Sequence, residues 1–182
     1  TRISPNALSQ KMNVTASQIR QDFNYFGGFD QQGYGYNVES LYKEIGDILG
    51  LNDGDTMIIV GAGNLGRALA NHNTFEKRGF HLVGIFDIDK RIIGSTINGI
   101  RVRSTDDLEN FVRNNRVDIG ILTLPRAAVQ ETAELLADAG VKGLLNFSYM
   151  ELRLPKNIAV SNVHLSDPLM FLSYEIKKGR EE

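Results

Sequence analysis

The sequence predicts an α/β protein built on a doubly wound parallel sheet, with a small helical domain ahead of it. Three observations predict it. From Thr56 onward the apolar runs MIIVG, HLVGIFD, DIGILTLP and KGLLNFS alternate with helix-like segments. Such continuous runs suit parallel strands buried on both faces, and the β/α alternation suits helices wound on both sides of a sheet. Gly61-x-Gly63-x-x-Gly66 falls between the first run and the first helical segment, where a turn must lead a strand into a helix. Before residue 50, two short helical patterns are separated by a tight turn.

Composition bounds the rest. The chain has 182 residues, 42% hydrophobic and 23% charged, ordinary for a globular protein of one medium domain or a small domain plus a compact one. It has no cysteine, which excludes disulfides, thiolate metal sites and cysteine nucleophiles and fits a cytoplasmic location. No apolar run approaches the roughly 18 residues of a membrane span, and no signal peptide is visible. The formal net charge is −2, so any contact with DNA must come from local placement of charge. The expected division is residues 1–50, 51–165 and 166–182. The abrupt opening on a helix start suggests that part of the first domain is missing upstream.

In the first domain, Ser4 is placed as an N-cap with Pro5 at the first helical position. The helix runs to Lys11, with Leu8 and Met12 on one side, and Asn13 suits a turn. Thr15-Ala-Ser-Gln18 matches the capping box that opens a helix. That second helix carries Ile19, Phe23 and Phe26 on one face and is stopped by Gly27-Gly28. Helix, tight turn, helix is the plan in which the second helix enters the major groove, bringing Thr15, Ser17, Gln18, Arg20 and Gln21 near DNA. GGFDQQGYGYNV then reads as a hairpin turning at Gln31-Gln32-Gly33, which would be a wing contacting DNA through Gln31 and Gln32. A small helical subdomain with one β-ribbon fits the same pattern. Asn37 to Leu49 reads as an amphipathic helix on Val38, Leu41, Ile45 and Ile48, closed by Gly50.

In the α/β part, helices are expected over Leu65 to Arg78, Thr105 to Asn114 and Arg126 to Ala139. Ile92 to Val102 breaks the alternation and reads as a loop or short hairpin crossing the sheet. The glycine motif is Rossmann-like. Gly61 permits the turn, Gly63 lets backbone approach a pyrophosphate, and Gly66 lets helix and strand pack closely. Ala62, Asn64 and Leu65 complete the turn, whose amide groups face the phosphates. Asp87 ends the next strand about 20 residues on, where a carboxylate accepts from the adenosine ribose. An acid there favours NAD+ and NADH over their 2′-phosphorylated forms, although Lys90 and Arg91 are near enough to soften that preference. The ends of later strands line the same crevice, nominating Thr123, Leu124, Pro125, Asn146, Phe147 and Ser148. A nucleotide-free α/β domain with tight glycine turns is the plainer alternative.

A dehydrogenase needs an acid or base beside the nicotinamide. His72, His81 and His164 all miss the strand ends where one is expected. Asp106-Asp107 looks like a helix start. Beyond the last apolar run about 35 residues remain, too few for a substrate domain. A DNA-reading motif ahead of a cofactor turn with no catalytic group suggests a sensor, not an enzyme.

The stretches IRQDFNYFGGFDQQGYGYNV, GAGNLGRALA, FDID, ILTLPRAAVQ and GLLNFSYMEL together resemble the Rex family of redox-sensing repressors, over essentially the whole chain. The resemblance implies a winged helix, a Rossmann domain and a homodimer that exchanges its C-terminal helix. It implies operator DNA as partner, and NADH and NAD+ as sensed ligands, with NADH releasing the operator. By position, Gly61, Gly63 and Gly66 hold pyrophosphate, Asp87 binds ribose, the 123–125 and 146–148 loops line the nicotinamide side, and Arg20 reads DNA. The chain departs from the family at Gln21, Gln31 and Gln32, where basic residues are usual. It departs again at Tyr149, where proline is common, and at His164, where an aspartate is usual. A small oxidoreductase with an accessory helical module and a nucleotide-binding regulator acting through protein contacts are the competing readings. PLMFLSYEI, from Pro168 to Ile176, is too apolar for a free terminal helix, so Leu169, Phe171, Leu172 and Ile176 should bury against another subunit or the chain's own sheet.

Overall fold

The computed structural model describes residues 1–26 and 35–180. The chain forms two compact units, Thr1–Gly54 and Asp55–Glu182.

In the first unit, β1 (Arg2–Ile3) pairs antiparallel with β2 (Tyr36–Asn37). Helix α1 (Pro5–Met12) starts as its residues dictate: Ser4 Oγ accepts from Ala7 N at 3.1 Å, Pro5 follows at N1, and Asn13 ends the helix in the left-handed region. Two residues later Thr15 Oγ1 accepts from Gln18 N at 3.1 Å and opens α2 (Ala16–Tyr25). Asn37 caps α3 (Val38–Ile48) by accepting from Glu39 N and Ser40 N. Ile19, Tyr36 and Leu41 are buried together, with Ile3, Leu8, Phe23 and Ile45 around them. The rings of Phe23 and Tyr36 meet edge to face at 4.9 Å. The buried stripe is narrower than the sequence suggests. Met12, Phe26, Val38 and Ile48 are exposed, and Phe26 caps the end of α2 instead of extending its apolar face. The Gly27-Gly28 stop and the Gln31-Gln32-Gly33 turn of the expected wing lie outside the described residues.

The second unit is a sheet with helices on both faces. Its strands are β3 (Asp55–Val60), β4 (Phe80–Asp87), β5 (Thr96–Ile97), β6 (Ile100–Ser104), β7 (Ile119–Leu122), β8 (Gly143–Asn146) and β9 (Ala159–Asn162). They lie in the order β5-β6-β4-β3-β7-β8-β9, parallel except for β5 against β6. The chain therefore starts in the middle, builds outward through β4 and β6, and returns to build the other half from β7. The helices are α4 (Asn64–Ala70), α5 (Thr74–Lys77), α6 (Leu108–Asn114), α7 (Arg126–Ala139) and α8 (Ser166–Lys178).

Period-2 alternation along β3 divides the core. Ile58 and Val60 join Phe86 and Leu122 against Leu108 and Val112 of α6 and Val129, Ala133 and Leu136 of α7. Met57 and Ile59 join Ile85 and Ile121 on the opposite face with Ala70, Leu69 and Phe75. Each fully buried aliphatic side chain contributes roughly 1.5–3 kcal/mol, so this double core dominates the unit's stability.

Four local differences from expectation have physical reasons. The helix expected over Leu65 to Arg78 breaks at Asn71, so that α4 and α5 are separate. The helix at Thr105 opens with a 3-10 turn, Thr105–Asp107, on the Ser104 cap. Residues 92–102 form a short hairpin, one of the two expected forms, at the edge of the sheet and not across it. Asn98 and Gly99 both take positive φ, as a two-residue hairpin turn requires, and β5-β6 extends the sheet edge. Strand β9 was not foreseen; all four of its residues are exposed. Among the described residues, no helix is long and apolar enough to cross a membrane.

Asp118, at the start of β7, ties three strands together. Its side chain is 4% exposed and meets Arg116 Nε at 2.8 Å and Lys142 Nζ at 2.7 Å. Thr56 donates to it from both N and Oγ1 at 3.1 Å. Burial raises its pKa, but the bonds from Lys142 and Thr56 outweigh burial and hold it at about 2.

Candidate functional site

The sheet reverses its building direction between β3 and β7, and the crevice beyond their carboxyl ends is where doubly wound sheets hold ligands. There β3 runs into Gly61 and β7 into Thr123. Gly61 takes φ +100°, which a side chain resists, and a Cβ on it would stand 2.7 Å from Thr123 O. A Cβ on Gly66 would overlap the Gly61 carbonyl oxygen. These two glycines are thus required by the fold itself. Gly63 differs: a Cβ there meets nothing within 4 Å, and the residue is exposed. The protein leaves open space above the backbone at the one position of the motif where a pyrophosphate is expected to approach. Gly63 is also the N-cap of α4 and forms no side-chain cap bond, so the following amides keep their donors.

The turn is held from three sides. Thr123 Oγ1 donates to Gly61 O at 2.7 Å, and Arg67 Nε donates to Ala62 O at 2.9 Å. From β4, Asp87 Oδ2 accepts from Ala62 N at 2.6 Å while its Oδ1 accepts from Asp89 N at 2.8 Å. A carboxylate has about four acceptor sites, so Asp87 braces the turn and keeps capacity for a ribose hydroxyl. Asn64 is exposed and Leu65 half-buried at the head of α4.

The second wall carries the other nominated residues. Leu124 packs on the α6–α7 face, and exposed Pro125 leads into α7. Asn146 is fully buried, and its amide is saturated: Nδ2 donates to Met150 O and Asn162 Oδ1, while Oδ1 accepts from Ser148 N and Oγ. It acts by shaping the loop that presents Phe147 and Ser148, with no donor left for a ligand. That network was invisible in sequence because its partner Asn162 lies on the unforeseen strand.

Beyond this loop, Tyr149 stacks on His164 with ring centroids 5.3 Å apart, and its hydroxyl reaches Ser166 Oγ at 3.5 Å. His164 lies 3.5 Å from Asp167. The loop is thereby joined to the first turn of α8. Leu169, Phe171, Leu172 and Ile176 of that helix are all exposed, so the expectation that they pack on the chain's own sheet is not met. An apolar groove of about 360 Å³ is open on the same unit, lined by residues including Met57, Phe75, Ile121, Leu145 and Val160.

The other histidines sit away from the crevice. His81 pairs with Glu76 at 2.8 Å, and His72 follows α4 and accepts from Thr74 N. Among the described residues no group of metal-ligating side chains is found. In the first unit, α2 turns Ile19 inward and leaves Thr15, Ser17, Gln18, Arg20 and Gln21 exposed, the disposition of a helix that offers one face to a partner.

The comparisons with known proteins agree with this plan. The family model for a CoA binding domain matches residues 52–150, the span from just before β3 through the loop after β8. The redox-sensing transcriptional repressor Rex of Caldicellulosiruptor saccharolyticus is 50% identical over 177 residues, covering 97% of this chain and 81% of that protein. The chain belongs to the Rex family. The crystal structure of RSP in complex with β-NAD+ and operator DNA superposes with a TM-score of 0.92 and 51% identity, covering 98% of this chain and 82% of that one. RSP in complex with β-NADH gives 0.90 and 48%, covering 98% and 84%. Rex proteins are transcriptional repressors, not enzymes.

Proposed function

We propose that this chain is a redox-sensing repressor that binds operator DNA and is released from it by NADH, responding to the NADH/NAD+ balance in the cytoplasm. The observation that carries the reading is the open space at Gly63, at the switch point of the sheet, in a chain that shares half its residues with a repressor solved on both operator DNA and a nicotinamide dinucleotide. The cofactor contains an ADP moiety, and the residues present suit it. The Gly61–Gly66 turn, with Ala62, Asn64 and Leu65, would hold the pyrophosphate on amide donors. Asp87 would accept from the adenosine ribose. Thr123, Leu124, Pro125, Phe147 and Ser148 would line the nicotinamide side on loops shaped by Thr123 and Asn146.

Residues 1–50 serve as the winged-helix domain in this reading, with Thr15, Ser17, Gln18, Arg20 and Gln21 on the reading helix and Gln31 and Gln32 on the wing. Residues 51–165 bind the dinucleotide. Residues 166–182 form the dimer contact: the apolar side chains of α8 are exposed, and exchange between two copies would bury them.

NADH then acts by changing the distance between two reading helices, which must match half-sites about 34–36 Å apart or a multiple of that. Linkage requires operator DNA to weaken NADH binding by the factor with which NADH weakens operator binding. The test is a gel shift of the protein on its own upstream DNA. Retardation that NADH reverses and NAD+ does not supports the reading. Retardation indifferent to both dinucleotides removes the sensing function and leaves a plain DNA-binding protein.

A further inference from the structure

Resting on the dinucleotide reading above, we propose that Asp89 determines specificity: it engages Arg91 in a carboxylate fork, competes with a ribose 2′-phosphate for that arginine, and so favours dinucleotides with a free 2′-hydroxyl.

A ribose 2′-phosphate is bound by a cation with open donors, and arginine is the residue best suited to it. The turn after β4 supplies two cations close behind Asp87, namely Lys90 and Arg91. Read from sequence, both are available. The structure gives Arg91 another partner. Its Nε meets Asp89 Oδ1 at 2.9 Å and Oδ2 at 3.1 Å, and its Nη2 meets Oδ2 at 2.7 Å. Its backbone N also donates to Oδ1 at 2.9 Å. The fork occupies the Nε–Nη2 edge of the guanidinium, one of the two edges on which it could take a phosphate bidentately.

The fork is anchored to the ribose-binding acid itself, because Asp89 N donates to Asp87 Oδ1 at 2.8 Å. Asp87 would present negative charge to the ribose, and Asp89 engages an arginine that could counter it. The hydrogen bonds from Arg91 also hold the Asp89 carboxyl at about 2, so the fork stays charged at any physiological pH. The Arg91 side chain is 89% exposed, and exposed pairs contribute little to folding. Selection of ligand is therefore separable from stability. Arg67, a further cation near Asp89, is tethered to Ala62 O through its Nε.

The test measures NADH and NADPH affinities by calorimetry on the full chain, on Asp89→Ala and on Asp89→Ala/Arg91→Ala. Freeing an arginine for one charge-assisted contact predicts a roughly tenfold or larger rise in the NADPH-to-NADH affinity ratio for Asp89→Ala. The double variant should return the ratio to the parent value. A purely structural role would weaken both ligands alike and leave the ratio unchanged, which overturns the proposal. A ratio that stays raised in the double variant also overturns it, assigning the effect to Lys90. A parent chain that binds no NADH takes down the dinucleotide reading, and this proposal with it.

Discussion

The glycine turn, as the proposed dinucleotide site, and α2, as the proposed DNA-reading helix, are built on opposite principles. At the turn the groups proposed to face the ligand are backbone, fixed by a double core: Gly61 and Gly66 admit no side chain, and Thr123, Arg67 and Asp87 brace what remains. On α2 the groups proposed to face DNA are exposed side chains, carried on a unit whose buried hydrophobic side chains among those described are Ile19, Tyr36 and Leu41. A backbone site is rigid and tolerant of most side-chain changes. A side-chain site on a small core is adjustable residue by residue. Sensing needs both, a fixed cradle for a constant metabolite and a variable surface for a particular operator.

The sharpest way to break the contrast lies within the turn itself. Gly66→Val should prevent folding, since its Cβ would overlap the Gly61 carbonyl. Gly63→Val should still fold, with the melting temperature lowered by roughly a few degrees for a poorer helix N-cap, and should abolish NADH binding. Calorimetry and thermal melting of the two variants separate a fold glycine from a ligand glycine. If Gly63→Val keeps its NADH affinity, the open space is not the pyrophosphate site.

Next in size is the terminal helix. Deleting the chain from Ser166 removes the exposed apolar side chains of α8 and should yield monomer or aggregate on sedimentation. A deletion variant that sediments as a folded dimer contradicts the exchange.

Two single substitutions then cross-examine the regions. Asp87→Ala should weaken NADH by roughly 1.5–3 kcal/mol, the scale of a hydrogen bond to a charged group. Arg20→Ala should weaken operator DNA by about 1–3 kcal/mol if it reads a guanine, with NADH binding by the DNA-free protein unaltered. An Arg20 variant that loses NADH affinity would mean the units share a site.

The smallest effect involves neither ligand. The Asp118 pKa is lowered from 3.8 to about 2 in the folded chain. Its stabilisation, about 2 kcal/mol by linkage, is therefore complete above the unfolded value and lost as pH falls from 4 toward 2. Asp118→Asn should show a correspondingly flatter loss of stability over that window in denaturant titrations. Equal slopes would remove the carboxylate from the account of acid sensitivity.

The same contrast explains what was legible in the sequence. Backbone requirements leave glycines, caps and continuous apolar runs, so the turn at Gly61–Gly66, the caps at Ser4 and Thr15, the central strands and the helix from Arg126 to Ala139 could all be read locally. Features that depend on distant partners could not. Strand β9 reads AVSN, with no apolar continuity. Asn146 shows its role only beside Met150 and Asn162. Arg91 looks free until Asp89 is seen to hold it. The exposure of Met12 and Phe26 follows from a core too small to cover a full helical stripe.

The coupling of the two regions is tested most directly by operator binding titrated with NADH at several salt concentrations. The account predicts that operator affinity falls as NADH rises, by the factor with which operator lowers NADH affinity. It also predicts a salt dependence shallow for a winged-helix dimer, because Gln21, Gln31 and Gln32 neutralise no phosphate. Operator affinity that ignores NADH, even where both ligands bind, would contradict it.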